Sequence, residues 1–256
     1  MPFTLAHPAA ALVLRGLPLP VAAAVAVAGT MAPDVPVFLR TFGEPYRFTH
    51  SVTGAVTVDL GVSLVGLALW FGWLRDPLVD LAPGAIRERL PASAGYDRRQ
   101  WLLAVPASVL GSLTHLFWDA FTHDGRWASD RIGWLQHEHG PLTGARWAQY
   151  ASSVVGLSIC VAWALVSLRR RQRRRRPARF PVLQVAALAL ALGVALIAPA
   201  PALVLARSLT WSVGLTAVIG TVLAAASLLL VASLWQVRSR YVGVHEDPGH
   251  QRSHTS

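Results

Sequence analysis

"VLQVAALALALGVALIAPAPALVLA", residues 182–206, decides the fold class. It carries no charged residue and does not alternate polar with apolar positions. A segment that crosses lipid must satisfy its backbone groups internally, so only helices and closed barrels qualify. Barrel strands are short and alternate in polarity. This run does neither, and as a helix it is long enough for the hydrocarbon core. Other apolar runs are read as spans at Val52–Leu74, Trp101–Phe121, Tyr150–Leu168 and Leu209–Trp235, with a proline-interrupted segment at Ala9–Ala32. Hydrophobic residues make up 54% of the 256 and charged residues 14%, and mean hydropathy is +0.45, which excludes an ordinary soluble domain. The expected fold is all-α, a polytopic membrane helical bundle of about five to six spans. At the N-terminus, Pro18 and Pro20 divide the apolar segment. It is either one full span or a Pro-broken helical hairpin, and the hairpin returns His7 to the side of Asp34.

The net charge of +10 comes from arginine alone, since the chain has no lysine. "RRRQRRRRPAR" at 169–179 lies between two spans and is read as cytoplasmic by the positive-inside rule. Arg238, Arg240 and the arginines between Arg75 and Arg99 agree with that orientation. The loop 122–149 and the segment around His50 then face outward. The run serves topology in this reading, and no nucleic acid partner is expected. The expected partition is a membrane-embedded site domain at 1–168, an Arg-rich cytoplasmic linker at 169–180, two further transmembrane helices at 181–236, and a disordered polar tail at 237–256. The single Cys160 excludes an internal disulfide and a C-x-x-C site.

"LTHLFWDAFTHDG" at 113–125 breaks the apolar pattern. His115, Asp119 and His123 are spaced i, i+4, i+8, which places them on one slowly drifting stripe of a helix. Ionisable groups inside a span cost several kcal/mol unless paired, roughly 3 kcal/mol on insertion scales. A divalent cation would satisfy all three together. His50, in "THS", precedes a span near the same boundary, and Asp34, in "MAPDVP", sits between prolines where a helix cannot continue. Asp59 lies inside its span, as a partner to His115 or as a packing group. His137, Glu138 and His139 are read as a solvated turn before Gly140-Pro141. Gln149, Ser152 and Ser153 line a polar pocket or bind helix to helix.

"MPFTLAHP", "MAPDVP", "THS", "LTHLFWDAFTHDG" and "QYASS" occur in that order. The set resembles an uncharacterised family of actinobacterial multi-pass membrane proteins, over roughly residues 1–168. More distantly, the T-x-x-H start, P-D, H-S and H-x-x-x-D resemble the YdjM-type inner-membrane proteins, which are described as metal-dependent hydrolases. That second resemblance implies His7, Asp34, His50, His115 and Asp119 as ligand candidates. The expectation is therefore a hydrolase in a bacterial plasma membrane, acting on a lipid or lipid-linked ester or phosphoester. His7, His50, His115, Asp119 and His123 are the metal candidates, for zinc, manganese or iron. Asp34 or Asp124 would be the general base. The competing expectation is proton- or ion-coupled transport through Asp59, His115 and Asp119, or a non-catalytic structural role.

Overall fold

The computed structural model of the chain describes residues 4–12, 28–39, 41, 43–197 and 209–245. Among them the secondary structure is helical except for one two-residue strand pair, with irregular connections between the helices. The elements are α1 (Pro8–Leu12), α2 (Val35–Phe38), α3 (Glu44–Thr49), the helical run α4 (Val52–Leu81), α5 (Arg98–Thr122), α6 (Gly144–Arg169), α7 (Pro181–Ile197) and α8 (Leu209–His245). Among the described residues four stretches are long and apolar enough to cross a membrane: α4, α5, α6 and Val222–Tyr241 within α8. They mark the chain as a membrane protein with a helical-bundle fold. The turn of the N-terminal segment, at Pro18 and Pro20, lies outside the described residues, as do 198–206 of the run that sets the fold class.

Helix edges differ from the expected ones for local reasons. Asp97 starts α5 early by a capping box: its side chain accepts from Gln100 N at 2.7 Å, and Gln100 Oε1 accepts from Asp97 N at 2.9 Å. Thr143 accepts from Arg146 N and starts α6 at Gly144, inside the stretch expected as loop. α4 runs on to Leu81 through a π-helical turn at Trp70–Leu74. α8 continues to His245, into the segment expected as a disordered tail. The arginines there are anchored: Arg238 stacks over Phe180 and Arg240 over Trp73, 5.4 and 6.0 Å from the ring centres.

The chain divides into two compact units, Met1–Ala68 with Tyr96–Arg170, and Leu69–Gly95 with Arg171–Ser256. In the first, α5 buries one stripe that includes Ala104, Ser108, Gly111, Ser112, His115 and Asp119. Leu102 and Phe117 point outward from the same helix. Small and polar side chains inside with large apolar ones outside is the pattern of a helix packed in lipid. The small stripe admits backbone. A Cβ on Gly29 would lie 2.3 Å from Ser108 O, so only glycine allows residues 28–34 to lie this close to α5. Ser112 Oγ donates to Gly29 O at 3.0 Å and fixes the approach. α6 does the same for the N-terminus, since a Cβ on Gly156 would lie 2.9 Å from Ala6 O. Thr49 Oγ1 donates to Pro33 O at 2.9 Å and ties α3 to the segment carrying Asp34.

In the second unit, buried Asp80 accepts from Arg179 N (3.0 and 3.1 Å) and from Trp235 Nε1 (2.9 Å). Arg87 donates to Ala82 O and Arg176 O, and Arg75 to Asp76, Pro91 O and Ala92 O.

Candidate metal centre

Short elements of the first unit each carry one or two polar side chains to one place. His7 follows the 3-10 turn Thr4–Ala6, held on α6 at Gly156. Asp34 ends the 3-10 turn Ala32–Asp34, where Pro33 and Pro36 shape the backbone. His50 occupies the tight turn between α3 and α4. His115 and Asp119 are one turn apart on the buried stripe of α5, and His123 is that helix's C-cap. His115 is fully buried, and Asp34, His7 and Asp119 are 2–3% exposed. The cluster lies at the end where α4 begins and α5 finishes.

Two imidazoles have their tautomers set by backbone. His115 Nδ1 donates to Thr30 O at 2.7 Å, and His50 Nδ1 donates to Tyr46 O at 2.9 Å. In its neutral form each then presents an unprotonated Nε2, which is how backbone carbonyls behind the ring prepare a histidine to bind a metal. Both Nε2 atoms face the same two carboxylates. They are 3.4 Å from Asp119 Oδ2 and 3.6 Å from Asp34 Oδ1. Those separations exceed a good N–H···O bond, whose usual length is about 2.9 Å. Bonds of about 2.0–2.1 Å to a tetrahedral ion would place neighbouring ligand atoms about 3.4 Å apart. Asp119 Oδ1 faces the other way, 3.7 Å from His7 Nε2 and 3.4 Å from His123 Nδ1. Thr4 Oγ1 donates to Asp34 Oδ2 at 2.7 Å and orients that carboxylate.

His7 Nδ1 and Nε2, His50 Nε2, His115 Nε2, Asp119 Oδ1 and His123 Nε2 are buried without a hydrogen-bond partner. Each such group costs about 1–3 kcal/mol if left unsatisfied. Six of them in one cluster fit a site built for a cation. Two sets of three have ligand atoms all within 4.8 Å of one another, His50–His115–Asp119 and His7–Asp34–His115. The buried His and Asp groups could hold a metal ion. Electrostatics follow the same geometry. Burial lowers the pKa of His7 to about 4, with His115 adding to the effect, so His7 is a neutral donor. Burial also opposes charge on His50, but the Asp119 and Asp34 carboxylates outweigh it and raise the pKa to about 9. Asp34 is held below the usual carboxylate range because His50, His115 and Thr4 outweigh its burial.

Six of the seven expected site residues come together: His7, Asp34, His50, His115, Asp119 and His123. Asp124 does not. It is exposed and turns to Thr143 Oγ1 at 3.2 Å and Arg146 Nε at 3.4 Å. His139 also lies apart, stacked on Trp134 beside the hairpin turn at Gly140. Asp59 is fully buried, with both carboxylate oxygens unpartnered. Gln149 is buried with a free Oε1, and Ser152 and Ser153 bond back to its carbonyl.

Two cavities reach the cluster. One of about 290 Å³ has His50, Ser51, Asp119, Arg126 and Trp127 in its lining. The other, about 200 Å³, is apolar and runs from His7 along Trp118, Val155 and Ile159. Arg126 was not among the expected residues. It stands 5.9 Å from the centre of the Tyr46 ring and pairs with no carboxylate among the described residues. Its signal in the sequence is an arginine directly after "THDG". Thr4 and Thr30 were also missed. Thr4 lies within the "MPFTLAHP" motif, whereas Thr30 acts through its carbonyl and leaves no signal.

No curated protein and no solved structure matches the chain. The family match takes in the arginine run and most of α8, beyond the part that the short motifs cover. The chain belongs to DUF4184, a domain of unknown function whose family model matches residues 1–234.

Proposed function

We propose that this protein is an integral membrane metal-dependent hydrolase of a bacterial plasma membrane. Its substrate is a lipid or lipid-linked phosphoester. One observation carries the reading. Two imidazoles whose Nδ1 protons are committed to backbone carbonyls turn Nε2 to the same two buried carboxylates, at the spacing of ligands around an ion. The likeness to YdjM-type proteins agrees with it. Zinc suits mixed His and carboxylate donors, with manganese or iron as alternatives. A divalent ion held by His50, His115 and Asp119 supplies Lewis acidity and lowers the pKa of water.

The protein's own groups do the rest. Asp34, oriented by Thr4, accepts the proton of the attacking water. Asp124 is engaged with Arg146 and is not assigned that role. Arg126, in the cavity that Asp119 and His50 line, meets an anionic head group, which favours a phosphoester over a neutral ester. Water adds to phosphorus, the bond to the lipid oxygen breaks, and that oxygen leaves as an alcohol with the proton.

The test is metal content by mass spectrometry of detergent-purified protein, alongside phosphate release from long-chain phosphoesters. Wild type should carry metal and turn over, and a His115→Ala/Asp119→Ala variant should do neither. A folded wild type that holds no metal after incubation with zinc, manganese and iron would overturn the reading. A second reading, proton- or ion-coupled transport, rests on Asp59, buried in its span without a partner. Asp59→Asn would abolish transport yet leave hydrolysis in place.

A further inference from the structure

Asp119 turns its two oxygens to different imidazoles. Oδ2 faces His50 and His115 Nε2, both at 3.4 Å. Oδ1 faces His7 Nε2 at 3.7 Å and His123 Nδ1 at 3.4 Å. We propose that the cluster is a two-cation site bridged by the Asp119 carboxylate. His50, His115 and Asp119 Oδ2 hold one ion, and His7, His123 and Asp119 Oδ1 hold the other. The proposal rests on the metal-binding reading above.

The donor inventory supports it. Four imidazoles and two carboxylates converge, whereas a tetrahedral zinc site takes about four ligands in all and a catalytic one about three from the protein. One ion would leave buried nitrogens idle. His115 sharpens the point. Its Nδ1 is committed to Thr30 O, so it has a single free nitrogen. His115 belongs to both three-residue sets, so with Nδ1 committed the two sets compete for that one nitrogen. Once the ion at His50 takes it, His7 is left buried with neither ring nitrogen hydrogen-bonded. His7 stacks on His115 with ring centres 3.8 Å apart, so it belongs to the same cluster but cannot be a spectator at no cost. His123 is only half engaged, its Nδ1 lying 3.2 Å from Thr122 Oγ1. Its Nε2 is buried and unpartnered, while its Nδ1 faces Asp119.

The charge balance also agrees. Two divalent ions against Asp34 and Asp119 leave a net positive site, to which Arg126 adds. Such a site attracts a phosphoester and stabilises both the attacking and the leaving oxygen of an in-line displacement. A single ion among the same residues would be close to neutral.

The experiment uses the full chain in detergent, equilibrated with zinc, desalted, and analysed for metal per polypeptide. Wild type should hold about two equivalents, His123→Ala and His7→Gln about one each, and Asp119→Ala close to none. Circular dichroism confirms that each variant keeps its helical content. His123 suits the test because its side chain is partly exposed, so truncation leaves the helix core intact. Manganese-loaded wild type should give the electron paramagnetic resonance spectrum of a coupled pair, and His123→Ala that of an isolated ion. One equivalent in wild type, unchanged in His123→Ala, would overturn the two-ion site while leaving a single-ion hydrolase standing. No metal in wild type would overturn both.

Discussion

Both units of the chain bury charged side chains, and they treat them in opposite ways. In the C-terminal unit Asp80 has three hydrogen-bond contacts, from Arg179 N and Trp235 Nε1, and Arg75 and Arg87 donate to carbonyls on neighbouring turns. These groups are spent on holding loops to helices. In the N-terminal unit both ring nitrogens of His7, the Nε2 atoms of His50 and His115 and the Oδ1 of Asp119 are buried without a hydrogen-bond partner. The unit tolerates that cost while presenting ligand atoms at cation spacing. Burial of charge alone therefore says little about function in this protein. The separation comes from whether the partners are already inside the fold.

Substitution can break that contrast. The largest effect is expected at Asp119→Asn. It should reduce metal content to background and slow phosphoester hydrolysis on the order of 10³-fold or more, read by mass spectrometry and phosphate release. Helical content should hold, because among the described residues no hydrogen bond is made to this carboxylate's buried Oδ1 and the histidines facing it stand 3.4 Å or more away. Asp80→Ala should do the reverse. It leaves Arg179 N and Trp235 Nε1 unpaired and should destabilise the protein by about 2 kcal/mol, lowering the thermal unfolding midpoint in detergent by several degrees while metal content stays at the wild-type level. If Asp80→Ala lost metal as readily as Asp119→Asn, the contrast between the units would fail. The smallest effect is expected at Thr4→Val. It removes the hydrogen bond that orients Asp34 and should slow phosphoester hydrolysis about tenfold while metal content stays at the wild-type level, read by phosphate release and mass spectrometry. An unchanged rate would mean that Asp34 is held by its backbone turn alone.

Much of this could be read from the sequence, and the reasons differ by residue. His115, Asp119 and His123 announced themselves because four-residue steps put side chains on one helical stripe, and ionisable groups in an apolar run are conspicuous. His7, Asp34 and His50 emerged from short motifs, since each sits in a turn whose prolines or small residues leave a pattern. Asp124 shared the motif but not the location, because α5 ends at Thr122 and the chain turns at Gly125, with φ +72°. The acceptors from Thr30 and Tyr46 had no signature, because any residue offers a carbonyl. The extension of α4 through a π turn was hidden for a similar reason: it depends on how Trp70–Leu74 packs, and periodicity does not report that. The division of labour between the two oxygens of Asp119 is a matter of ångströms, and spacing along the chain does not encode it.

The contact between Gly156 and the carbonyl of Ala6 reaches further than its size suggests. Gly156 lies among Val154, Val155 and Leu157 in α6, a stretch where hydrophobic exchange would otherwise be tolerated. Replacing its hydrogen with any carbon would displace Ala6, and the next residue is His7. A change from one apolar residue to another, invisible to any survey of charge or acid–base chemistry, would thus act as a loss-of-ligand mutation. The heritable definition of the centre includes a residue that has no side chain to offer it.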